Sequence, residues 1–161
     1  MKFNAEPTRK NAVMSEGQHV VIRPARLADR EAVWPLARDF ATSFLPIRSA
    51  FETAFVDILG ADDGLLLVAE TDERLVGYLL ATSHLTFLAN GRVAWVEEVM
   101  VEADMRRARV GSALMEHAER WATDIDAAYL ALASRRAGGF YLALGYEDSA
   151  TFFKKSAKLR A

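Results

Sequence analysis

The sequence predicts an α/β fold: a central mixed, mostly antiparallel, twisted sheet of about six to seven strands with helices on both faces. Three observations carry this prediction. Apolar runs of strand length and amphipathic stretches of helix length follow one another in the order β, α, α, β, β, β, α, β, α, β. Residues 65–70 (LLLVAE) read as a strand, apolar from Leu65 to Ala69. Three strand-like runs in the middle of the chain are separated only by short turns, which makes an antiparallel meander. A helix then precedes the next short strand, which makes a parallel crossover.

Residues 1–18 are polar and lack the apolar centre of a signal peptide, so they read as a disordered leader to a single domain spanning 19–161. Residues 19–24 (HVVIRP) form a first strand stopped by proline. Asp29 is placed to cap a helix over 30–42, whose apolar positions Ala32, Val33, Leu36, Ala37 and Phe40 share one face. Pro35 inside that span predicts a shifted start or a kink. A break at 44–46 precedes a second helix over 49–59, with Phe51, Phe55, Val56 and Leu59 apolar. A turn at 60–64 leads to the strand 65–70. The tight connection 71–73 leads to a strand over 74–83, with 85–87 as its extension. Asn90-Gly91 is the strongest turn signal in the chain and opens a strand over 92–101. A helix follows over 107–123, then a short buried strand at 128–133. Gly145 closes a short helix over 136–144, and a last strand runs over 147–158 with Phe152 and Phe153 in it.

The 161 residues suit one domain with a real core. Hydrophobic residues are 52% and charged residues 26%, the balance of an ordinary globular protein. A formal net charge of −2 argues against nucleic acid as the partner. No apolar run approaches the ~20 residues of a membrane span, so no membrane role is expected. There is no cysteine, which excludes a thiol nucleophile, a thiolate metal site and any disulfide, and agrees with a reducing cytoplasm as the location. His19, His84 and His117 lack ligand-like spacing, so no metal is expected. His117, between Glu116 and Glu119, is expected on a wet helix face.

The chemistry is concentrated in residues 94–118. A strand rich in Val, a basic bend and an amphipathic helix follow one another there, and Arg106, Arg107 and Arg109 stand with Gly111 at the helix start. Backbone N–H groups at a helix start have no intrahelical partner, and the helix dipole is positive there. Arginines at that end oppose the dipole, so a bound anion accounts for them better than a bare basic turn, and phosphate is the natural guest. Two acids, Glu97 and Glu98, interrupt the preceding strand. Alternation sends them to opposite faces. One reading is an edge strand with two solvated acids. The other is a general base, able to accept the proton of an amine nucleophile directly or through water.

Val101 followed by Arg106-x-x-x-x-Gly111-Ser-Ala-Leu resembles motif A of the GNAT-type N-acetyltransferases, departing from it where Arg109 replaces the first motif glycine. Further on, Ala137, Tyr141, Gly145 and Tyr146 match the family's N-x-x-A-x-x-[FL]-Y-x-x-x-G-[FY], with Ser134 in place of the Asn. The order of elements is also that of the GNAT fold. The resemblance implies acetyl-CoA as cosubstrate. Its pyrophosphate would lie on the loop residues Arg106, Arg107, Ala108, Arg109, Val110, Gly111 and Ser112. Its pantetheine arm would pair with the backbone of Val99, Met100 and Val101, with a further contact at Ser134. The strand E-[DE]-x-x-V resembles that of diamine and amino-sugar acetyltransferases, which implies Glu97 as base and Glu98 as a contact to a substrate cation or a solvated residue. Tyr141 would act as general acid on the leaving thiolate.

The expected activity is acetyl transfer to a primary amine on a small cationic molecule. The alternatives are a peptide or protein acceptor, and an acyl-CoA-binding regulatory domain without turnover. Asp39 or Glu52 is a further candidate to recognise a cation. The sequence allows a homodimer.

Overall fold

The computed structural model of the chain describes residues 12–15, 18–41, 44–72 and 74–155. Within them a six-stranded sheet has its strands side by side in chain order. β1 (Ala12–Ser15) pairs with β2 (Gln18–Pro24), β2 with β3 (Gly64–Glu70), β3 with β4 (Leu75–Thr86), and β4 with β5 (Gly91–Val101), all antiparallel. β6 (Leu130–Leu132) joins β5 in parallel through the crossover helix α3 (Val110–Asp124). The mixed sheet, the meander and the crossover are those expected from the sequence. β1 falls inside the stretch read as a leader and pairs with β2.

The sheet divides the core in two. Alternation along β3 sends Leu67 and Ala69 to one face and Leu66 and Val68 to the other. On the first face α3 lays Val110, Ala113, Leu114, Met115 and Ala118 against them. On the second, α1 (Arg30–Phe40) and α2 (Arg48–Gly60) contribute Val33, Leu36 and Phe55. Leu79, Leu114 and Met115 are fully buried, each worth about 1.5–3 kcal/mol relative to exposure. Gly77 lets β5 close onto β4, because a Cβ there would lie 2.6 Å from the Met100 carbonyl oxygen.

Three local expectations change. α1 runs through Pro35 to Phe40, and Asp29 precedes it without a side-chain capping bond to it. Asp29 instead accepts two hydrogen bonds from Arg23 (2.7 and 2.9 Å) and one from the Arg26 amide. Arg23 also donates to Glu70, so one guanidinium ties β2, β3 and the turn before α1 together. The expected last strand is absent over 147–155, and 156–158 lie outside the described residues. Phe152 and Phe153 are adjacent and both exposed, so the segment lacks the alternation that would cover one face. β6 offers it only three residues to pair with.

Candidate functional site

The site is built on an irregularity in β5. Leu80 on β4 stands opposite Glu98, but its neighbour Ala81 stands opposite Val96, so Glu97 is the extra residue of a β-bulge. The bulge resets the alternation. Val96, Val99 and Val101 pack on the α3 face, while Met100 packs on the α1–α2 face. Glu98 joins that second face, where the buried Tyr78 hydroxyl donates to its Oε2 at 2.6 Å. Glu97 lies beside it, exposed, with a loose 3.4 Å bond from the Thr82 hydroxyl. Both acids therefore open toward α1 and α2, and the expectation of opposite faces fails because a bulge adds a residue without adding a pleat. Neither acid has an ion pair among the described residues. Burial, then the Glu98 charge, then the hydrogen bond push the Tyr78 phenol far above its ordinary range, so it is a permanent donor.

The bulge is also where β5 loses a neighbour. β6 pairs only with Ala94, Trp95 and Val96, so the β5 edge over 97–101 faces a gap. Beyond Val101, the chain turns through Ala103–Met105 into the basic bend. The helix starts three residues later than expected, at Val110, because Arg107 and Arg109 both take left-handed conformations (φ 68° and 61°). Arg109, at the position of the first motif glycine, thus takes a conformation that favours glycine while carrying a side chain. The bend leaves the amides of Arg107, Ala108, Arg109, Val110, Gly111 and Ser112 without hydrogen-bond partners among the described residues. Successive N–H groups around left-handed residues form a concave anion cradle. The Arg106, Arg107 and Arg109 side chains are exposed around it, and Arg106 Nε donates to the Val101 carbonyl, tying the bend to the end of β5. The Val110 side chain is core, so only its amide is available.

α4 (Gly138–Ala143) follows β6 and packs on the start of α3. A Cβ on Gly111 would come within 3.3 Å of the Phe140 ring and 3.9 Å of Val101, so this glycine seats α4 on the start of α3. Tyr141 stacks edge-on against Phe140 (4.9 Å) and Tyr146 (5.9 Å) on the α3 face. It is half-buried, its hydroxyl has no partner among the described residues, and burial raises its pKa, which keeps the phenol protonated. Glu97 and Tyr141 are thus rooted on opposite faces of the sheet and do not touch. Ser134 is exposed and its hydroxyl accepts the Ala137 amide at 3.1 Å, which commits it to the turn before α4.

The secondary candidates are occupied. Arg38 pairs with Asp39 and Arg48 with Glu52, so neither acid is free to recognise a cation. His117 is half-buried rather than on a wet face; its Nδ1 donates to the Ala113 carbonyl and burial lowers its pKa. Among the described residues no cluster of His, Asp and Glu is placed to hold a metal, and no helix is long and apolar enough to cross a membrane. Sequence reasoning missed Tyr78 and Thr82, which reach the acids across strands and carry no local signal.

A model of the acetyltransferase (GNAT) family matches residues 30–146, well over half of the chain. The chain belongs to the GNAT acetyltransferase family. Solved structures agree on the GNAT fold. Glucosamine-6-phosphate N-acetyltransferase from Arabidopsis thaliana is 18% identical with a TM-score of 0.76, over 85% of this chain and 97% of that one. The aminoglycoside N-acetyltransferase AAC(6')-Iy, solved with CoA, is 19% identical with a TM-score of 0.78, over 91% and 99%. A transcriptional regulator from Bacillus halodurans C-125 is 26% identical with a TM-score of 0.75, over 86% and 100%. The comparison with curated proteins finds no match.

Proposed function

We propose that the protein is an acetyl-CoA-dependent N-acetyltransferase acting by direct transfer on a primary amine. The observation that carries this reading is the run of unpartnered amides from Arg107 to Ser112, ringed by three arginines, next to an unpaired strand edge and two unpaired acids. The cradle suits the pyrophosphate of coenzyme A. The β5 edge over Val99, Met100 and Val101 suits the pantetheine arm, which can add to it as an extra strand. The thioester then lies in the gap, with Glu97 on one side and Tyr141 on the other.

Glu97 takes a proton from the acceptor ammonium, directly or through one water, as its exposed position allows. The amine lone pair attacks the thioester carbonyl carbon, and a backbone N–H of the 99–101 segment stabilises the charge on oxygen. The C–S bond breaks as the protonated Tyr141 phenol gives its proton to the leaving thiolate. The second ammonium-derived proton, released as the amide forms, returns to the phenolate through solvent. No covalent enzyme intermediate is required, consistent with a chain that has no cysteine.

Thiol release from acetyl-CoA over an amine panel tests this reading. Glu97→Gln is expected to lower kcat by about 100-fold or more, and Tyr141→Phe by about tenfold or more, with CoA affinity unchanged in both. CoA binding without turnover of any amine would instead make the protein an acyl-CoA binder. Turnover unaffected by either substitution would reject these two roles.

A further inference from the structure

Resting on the acetyl-transfer reading, we propose that the acceptor is an amine with a single cationic centre and an apolar body, its ammonium held by Glu98 and its body lying on Phe40 and Met100. Glu98 is half-buried and fixed by the 2.6 Å bond from Tyr78, while its second oxygen has no partner among the described residues. Tyr78 is a positioning residue, since it acts through Glu98. The surroundings of that carboxylate are apolar. Phe40, the last residue of α1, stands edge-on to Tyr78 at 6.5 Å and remains 36% exposed. Met100, two residues beyond Glu98 on the same side of β5, packs on the same cluster and is partly open.

The charges around this floor set the selectivity. Asp39 and Glu52 are each paired with an arginine, so beyond Glu97, which serves as the base, and Glu98, neither of these two helix acids is free for a further ammonium. Glu97 and Glu98 side by side repel phosphorylated acceptors. One cation and an apolar remainder satisfy all of these groups together.

The test is a series of n-alkylamines from methylamine to hexylamine, with 2-phenylethylamine, spermidine, kanamycin and glucosamine 6-phosphate, each read as thiol release at saturating acetyl-CoA. The expected result is a kcat/KM that climbs by up to about fourfold per methylene, the increment of full apolar burial. Spermidine, kanamycin and the phosphosugar fall at least about 100-fold below hexylamine. Phe40→Ala flattens the series, so that hexylamine loses about tenfold relative to methylamine. Tyr78→Phe raises KM for every amine more than it lowers kcat. The inference is overturned if the wild-type series is flat, if a polycation or the phosphosugar is the best acceptor, or if Phe40→Ala lowers all amines alike. Those results leave acetyl transfer standing, whereas CoA binding with no amine turned over removes both readings.

Discussion

Replacing Arg109 by glycine should make the free protein more stable and its grip on coenzyme A weaker. Arg109 caps α3 at φ 61° and ψ 9°, a left-handed conformation that costs an L-residue about 1–2 kcal/mol. Glycine adopts it without that cost and is accepted at a helix N-cap. Glycine's larger unfolded-state entropy takes back about 0.5–1 kcal/mol. The net gain is about 0.5–1 kcal/mol, or a rise in Tm of about 1–4 °C for a chain of this size. The lost guanidinium is exposed, so its contribution to phosphate binding is that of a screened surface pair, about 0.2–1 kcal/mol, or up to about fivefold in Kd. Arg109→Ala separates the two effects, because it loses the charge and keeps the strain. Thermal melting of the free variants and calorimetric titration with CoA measure both. A glycine variant that melts below the parent would refute the strain argument. Parental CoA affinity in both variants would refute a phosphate beside this residue.

Two further predictions follow from contacts around the site. Gly111→Val should push Phe140, and with it the stacked Tyr141, out of place, since even a Cβ would reach within 3.3 Å of the Phe140 ring. The expected cost is about 1–3 kcal/mol in urea unfolding and a larger loss in kcat than in CoA affinity; unchanged turnover would show that α4 does not depend on this glycine. Asp29 is held below its ordinary value of 3.8 chiefly by the Arg23 hydrogen bond, against the opposing effect of burial. A carboxyl depressed on folding contributes stability that is present above the unfolded pKa and lost as pH falls through the folded one. Asp29→Asn should therefore cost about 2 kcal/mol at pH 7, with the gap to the parent closing as the pH is taken below about 4; a gap that stays constant with pH would contradict the pairing.

The elements that hold the site were legible because each is written locally. The unbroken apolar run of β3, the helical spacing of Ala113, Leu114 and Ala118, and the three arginines ahead of them all appear in a short window of sequence. The bend itself was legible in composition but not in conformation, because a left-handed Arg109 carries no glycine to announce it. The bulge at Glu97 was hidden for a similar reason. It depends on how β5 registers with β4, and strict alternation therefore sent Glu97 and Glu98 to opposite faces. The partners Tyr78 and Arg23 act across twenty and forty-seven positions of chain, beyond any local pattern. The last strand was overread because aromatic density at Phe152 and Phe153 counts toward a strand even where no long edge is present to receive it.

The most direct measurement is a calorimetric comparison of dephospho-CoA with pantetheine, which lacks the nucleotide and its pyrophosphate, on the unmodified protein. Two or more charge-assisted bonds from the 107–112 amides, at about 1.5–3 kcal/mol each, should make dephospho-CoA bind at least about 100-fold more tightly, with the difference shrinking in high salt. Equal affinity for the two compounds would mean that the bend holds no pyrophosphate, and the placement of the thioester beside Glu97 would fall with it.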